Sequence, residues 1–123
     1  MRFRLTFLAL LSWVCMLSLP LRAQMQPLKV RVSEKISQGM IVHKVQPKYP
    51  KEARKKHIEG PVVLQATISR AGDVIGLNVV KGDPLLVPSA LVAVKRWKYE
   101  PYVLNGEPVQ VETQITVNYT LSR

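Results

Sequence analysis

Cysteine is nearly absent from this sequence: 123 residues contain one, Cys15, inside the N-terminal apolar run. The residue before it is Val14, too large for a lipoprotein acceptor site. A chain cleaved beyond it would have no disulfide, no thiolate metal site and no cysteine nucleophile. Small secreted domains are often stapled by disulfides, so this one must fold on apolar packing alone, which is feasible near 100 residues. Histidine is almost as scarce. His43 and His57 fall in different expected elements, without an H-x-x-x-H pair, which points away from zinc. The glycines make no phosphate cradle of the G-x-x-x-x-G-K type. No serine is placed on a nucleophile elbow, and Asp73 and Asp83 are accounted for as turn and cap residues. The expectation is therefore a non-enzyme, with no catalytic residue, metal or cofactor.

Acidic residues are also few: eight Asp and Glu against eighteen Lys and Arg, a formal charge of +10. Three of the cations, Arg2, Arg4 and Arg22, flank the apolar stretch Leu5 to Leu19. That stretch is shorter than the roughly 20 apolar residues a spanning helix requires. With Pro20 and Ala23 after it, residues 1–23 read as a signal peptide, or as a short membrane anchor where cleavage fails. The remaining positive charge is concentrated at Lys44, Lys48, Lys51, Arg54, Lys55 and Lys56. Such a cluster attracts anionic lipid headgroups or acidic receptor loops, or is simply a solvated helix face. A secreted chain rarely meets nucleic acid, which is not expected as a partner.

Residues 24–40 read as a connector with one short strand, since Leu28-Lys29-Val30-Arg31-Val32 alternates apolar and charged. The prolines of Gln46-Pro47-Lys48-Tyr49-Pro50 hold the backbone extended. Pro50 then opens a short helix expected to reach Ile58, with Ala53 and His57 on one face. Val62 to Ser69 and Val74 to Val80 read as a hairpin closed at Ala71-Gly72-Asp73. Asp83-Pro84 starts a second helix, kinked at Pro88 or beginning there, with Leu86, Ala90, Ala93, Val94 and Trp97 on one stripe. Val92 is apolar where that periodicity predicts exposure.

After the Asn105-Gly106 turn, Val109, Val111, Thr113, Ile115, Val117, Tyr119 and Leu121 alternate with polar residues, one long strand with a buried and a wet face. If that strand lies at a sheet edge, its backbone is a template for an incoming extended peptide; otherwise it is paired within the domain or in a homodimer.

Tyr49-Pro50-x-x-Ala53, Ile58-x-Gly60-x-Val62, the turn at Gly72-Asp73 and Trp97-Lys98-Tyr99-Glu100-Pro101, taken in order, resemble the TonB C-terminal domain over residues 41–123. The resemblance implies an α+β domain with a small three-stranded antiparallel sheet and two helices packed on one face. It also implies a periplasmic partner, the TonB box peptide of TonB-dependent outer-membrane receptors, added as a strand beside the last strand. Carried onto this sequence, the partner-binding residues are Gln46, Pro47, Lys48 and Tyr49, with Val111, Thr113, Ile115 and Val117 along the docking edge. Family members also form homodimers. Coupling to the ExbB/ExbD motor is not supported, because Leu5 to Leu19 carries no histidine and no long Pro-rich spacer precedes the domain. The alternative function is a structural or assembly protein that uses the last strand for homodimerisation.

Overall fold

A computed structural model describes residues 29–122, and the signal peptide or anchor read over 1–23 lies outside them. Its longest element is β7, Glu107–Tyr119, where side chains at the odd-numbered positions from Val109 to Tyr119 are all buried. Period-two alternation of apolar and polar residues produces this, since successive side chains point to opposite faces. On one side β7 pairs antiparallel with β3, Gly60–Ile68, in an unbroken register from Gly60 opposite Tyr119 to Ile68 opposite Val111. Next to β3 lies β4, Val74–Lys81.

Two further strands use β7. The short β6, Tyr102–Leu104, forms a hairpin with Glu107 to Val109. Its turn is Asn105-Gly106, both at positive φ, as tight hairpins require. The other is β1, Lys29–Arg31, which runs parallel to β7 opposite Gln110 to Glu112. The sheet is thus five-stranded with one parallel pair, where the sequence predicted three antiparallel strands. The alternation at Leu28 to Val32 marked the first of these as a strand but not its pairing with β7, and β6 spans only three residues, too few for a periodicity to register. A separate two-stranded ladder joins β2, Ile41–His43, to β5, Lys98–Tyr99.

The described residues hold three short helices rather than two: α1, Glu34–Gln38; α2, Lys51–Lys55; and α3, Val87–Val94. The first lies within the stretch expected as a connector, and Ser33 caps its N-terminus by accepting from the Ile36 N–H. The second stops short of Ile58, because His57 takes a positive φ and turns the chain away. Ala53 is fully buried but His57 is exposed, so the two do not share a face. In the third, Pro88 lies in the first turn, where a missing N–H costs nothing. The Asp83 carboxylate accepts from Leu85 N–H in the turn before it.

The core lies between the helices and one sheet face. Leu64, Val62 and Ala66 from β3 meet Leu86, just before α3, and Ala90 and Val94 on it, with Trp97, Tyr99 and Tyr119 closing the ends. Burial, and secondarily the charge of Glu34, pushes the Tyr99 phenol up to about 12. A raised folded-state value means stability is complete below the ordinary phenol value near 10. It is lost as pH rises from about 10 through about 12. Tyr99→Phe should therefore flatten the alkaline arm of a Tm-versus-pH curve over that window; an unchanged arm would show that Tyr99 is not its source.

Candidate functional site

The extended stretch before α2 is anchored at both ends. The Trp97 indole N–H donates to the Val45 carbonyl at 2.8 Å, and Lys44 lies 5.1 Å from the Trp97 ring centre. At the other end the Tyr49 hydroxyl donates to the Ile58 carbonyl, and its ring meets Tyr119 edge-on at 5.4 Å. Arg54 stacks over Tyr49 at 5.7 Å. Tyr119 reaches α3 through a 2.6 Å hydroxyl contact with Ser89. Burial raises both phenols: at Tyr49 the charge of Glu59 adds to it and Arg54 opposes it, and at Tyr119 the Ser89 hydrogen bond opposes it. Gln46 and Lys48 are exposed, while Pro47 and Tyr49 are half-buried. Prolines and aromatic anchors thus hold the backbone in one extended shape and leave alternate side chains outside.

The four positions on the last strand behave differently. Val111, Thr113, Ile115 and Val117 are all buried on the core face. Thr113 donates to the Ser37 hydroxyl at 2.9 Å. The edge away from β3 belongs to the alternate residues. The Glu112 carbonyl accepts from Val32 N–H at 2.9 Å. The Thr116 N–H donates to Glu34 Oε1 at 2.6 Å, and its hydroxyl donates to Oε2 at 3.1 Å. By the two-residue alternation of an antiparallel ladder, Gln114 and Asn118 present their N–H and C=O on that same side. The resemblance set the docking edge along the backbone from Val111 to Val117; within that stretch the groups turned away from β3 are those of the even-numbered residues.

That edge is partly occupied. β1 lies along Gln110 to Glu112, with Lys29 and Arg31 at 3.8 and 3.7 Å from the Glu112 carboxylate. α1 follows and sets Glu34 over Thr116. Nothing in the local sequence of Glu34 marks this role, which depends on a contact between residues far apart in the chain.

The site is thus a mixed sheet with an extended segment, Gln46 to Tyr49, packed against the end of its last strand through the Tyr49–Tyr119 contact. Residues 45–121 match the family described as Gram-negative bacterial TonB protein C-terminal, and the chain belongs to that family. Protein TonB of Vibrio cholerae serotype O1 is 36% identical over 85 residues, 68% of this chain and 35% of that protein. The chain thus spans about a third of the length of the curated relatives it matches. The solution NMR structure of the Pseudomonas aeruginosa TonB C-terminal domain superposes with a TM-score of 0.58 at 24% identity, covering 68% of this chain and 86% of that one. The TonB2 protein of Vibrio anguillarum superposes at 0.53 with 33% identity, covering 68% and 82%.

Proposed function

We propose that this chain is a periplasmic TonB-type docking module. It takes an extended segment, the TonB box, of a TonB-dependent outer-membrane receptor by strand addition. The observation that supports this most directly is the outward run of backbone groups at Gln114, Thr116 and Asn118. In this reading residues 1–23 deliver the chain to the periplasm or tether it to the inner membrane, 24–40 connect, and 41–123 form the binding domain. The role is in transport across the outer membrane, as part of an energy-transducing system, and not in catalysis. Gln46, Pro47, Lys48 and Tyr49 contact the peptide flank. The strand core docks along Val111 to Val117 through the even-numbered backbone groups, the odd-numbered side chains supporting it from beneath.

The peptide must share the edge with β1 and Glu34 or displace them. Titrating TonB-box peptides into the full chain, followed by backbone amide shifts, should move Gln114, Thr116 and Asn118 first. Shifts confined elsewhere, or none at millimolar peptide, would refute the reading. Because the surrounding charge is strongly positive, affinity for an acidic-flanked peptide should fall several-fold, roughly, when the Debye length drops from about 10 Å at 0.1 M salt to about 3 Å at 1 M. A homodimer through the same edge is the competing use; it requires a dimeric mass by sedimentation that added peptide dissociates.

A further inference from the structure

A second surface lies away from the strand edge. Two adjoining grooves, of about 380 and 550 Å³, run between the extended stretch around Gln46–Lys51 and the helix α3 with its preceding turn. They share Lys48, Pro88 and Ser89, so together they make one trough. Its floor is apolar, formed chiefly by Leu85, Pro88 and Val92. Val92 is 66% exposed, the largest exposure among the large apolar residues left at the surface. An apolar side chain on the outward side of a core-packed helix gains nothing from the fold itself, since the opposite stripe, Ala90, Ala93 and Val94, already fills the core.

The rim is cationic. Lys48, Lys51 and Arg96 line the trough and are exposed, and none is among the ion pairs of the described residues. One acidic side chain, Glu52, lines the same trough. The wall that carries Lys48 is held rigidly, by the Trp97 bond to Val45 at one end and by Tyr49 packed on Tyr119 at the other. A wall already fixed in its bound shape loses little entropy when a ligand arrives. Unpaired cations over an apolar floor complement a ligand that carries both carboxylates and apolar groups.

We propose that this trough docks an extended acidic peptide, its apolar side chains resting on Leu85, Pro88 and Val92 and its carboxylates facing Lys48, Lys51 and Arg96. Recognition here runs through side chains and needs no sheet edge; Lys48 also belongs to the flank assigned to the receptor peptide, so at that wall the trough rests on that reading, while Leu85, Val92 and Arg96 lie outside it. It gives the chain a second point of attachment, and a partner that engages both surfaces gains avidity from the linkage.

The test uses the full chain in neutral detergent and a fluorescein-labelled peptide of alternating Glu, Val and Pro, with a matched peptide carrying Lys in place of Glu. Anisotropy should show the acidic peptide binding at least about tenfold tighter than the basic one. Val92→Glu, at an exposed position that spares the core, and Lys48→Glu, at the rim, should each weaken it by about tenfold. Val79→Glu, on β4, should leave it unchanged. Equal affinity for the two peptides, or undiminished binding by both trough variants, overturns the proposal. Binding to phosphatidylglycerol vesicles with no binding of the acidic peptide also overturns it, and assigns the cations to a lipid surface instead.

Discussion

Gly72→Ala should be the most damaging single-methyl change in the described chain. A Cβ built there falls 1.9 Å from the Tyr99 carbonyl oxygen and 2.9 Å from its carbon, both backbone atoms that no rotamer change can move. Gly72 also sits at φ +91, where an L side chain is strained. The contact is structural at long range. Tyr99 N–H donates to the Gly72 carbonyl at 2.9 Å, Asp73 bridges to Lys98, and the Lys98 ammonium pairs with the Asp73 carboxylate. The hairpin tip between β3 and β4 is thereby clamped onto β5. Alanine must force the two apart, which withdraws Tyr99, 5% exposed, from the core and loosens Trp97 beside it.

Together the strain and the lost contacts cost about 3–5 kcal/mol, the range of core disruption. For a domain of this size that corresponds to a fall in Tm of about 12–40 °C, at about 4–8 °C per kcal/mol. Gly106→Ala supplies the control. Gly106 has φ +81, but nothing lies within 4 Å of an added Cβ. It should lose only the conformational term, about 1–2 kcal/mol. Thermal denaturation followed by circular dichroism separates the two, and similar losses would show that the hairpin tip is not clamped by Tyr99.

The same glycine shows how far sequence reasoning reaches. Ala71-Gly72-Asp73 is legible as a turn because glycine accepts positive φ, a local property. That Tyr99 sits against it is a non-local fact without any periodic signature. The division recurs through the fold. The long strand, the apolar stripe from Leu86 to Trp97 and the Asn105-Gly106 turn all follow from short-range spacing. The parallel pairing of β1 with β7 does not, because a three-residue strand offers one alternation at most. Nor does the end of α2, where polar residues from Lys51 to His57 carry no apolar period to terminate. At the candidate site the extended shape of Gln46 to Tyr49 was readable from its prolines. Which groups of β7 face outward was not, because hydrophobicity reports the buried face of a strand and says nothing of which edge is paired. Val92 was legible as an anomaly, and its meaning awaited the trough beside it.

Glu34→Ala should move stability and peptide affinity in opposite directions. Its carboxylate accepts from both the backbone N–H and the hydroxyl of Thr116, on the edge proposed to take the receptor peptide. Hydrogen bonds to a charged group contribute about 1.5–3 kcal/mol, so removal should lower the unfolding free energy by roughly that amount. What still holds the N-terminal segment is the three paired residues of β1, buried Val32 with its N–H bond to Glu112, the Thr113 bond to Ser37, and two long contacts from exposed Lys29 and Arg31 to Glu112. Exposed ion pairs of that kind contribute about 0–1 kcal/mol each. With Glu34 gone, β1 and α1 should leave the edge more often, and the fraction of chains competent to add a strand should rise. Apparent affinity follows that fraction directly. A gain of about 1.4 kcal/mol in edge availability would tighten peptide binding about tenfold. Glu34→Gln, which keeps an acceptor but not the charge, should fall between the two. Calorimetric titration of a TonB-box peptide, paired with urea denaturation of the same variants, reads both quantities. Lower stability with unchanged affinity would place the peptide away from the Gln114–Asn118 edge. Lower stability with weaker binding would make Glu34 a direct contact of the peptide rather than its competitor.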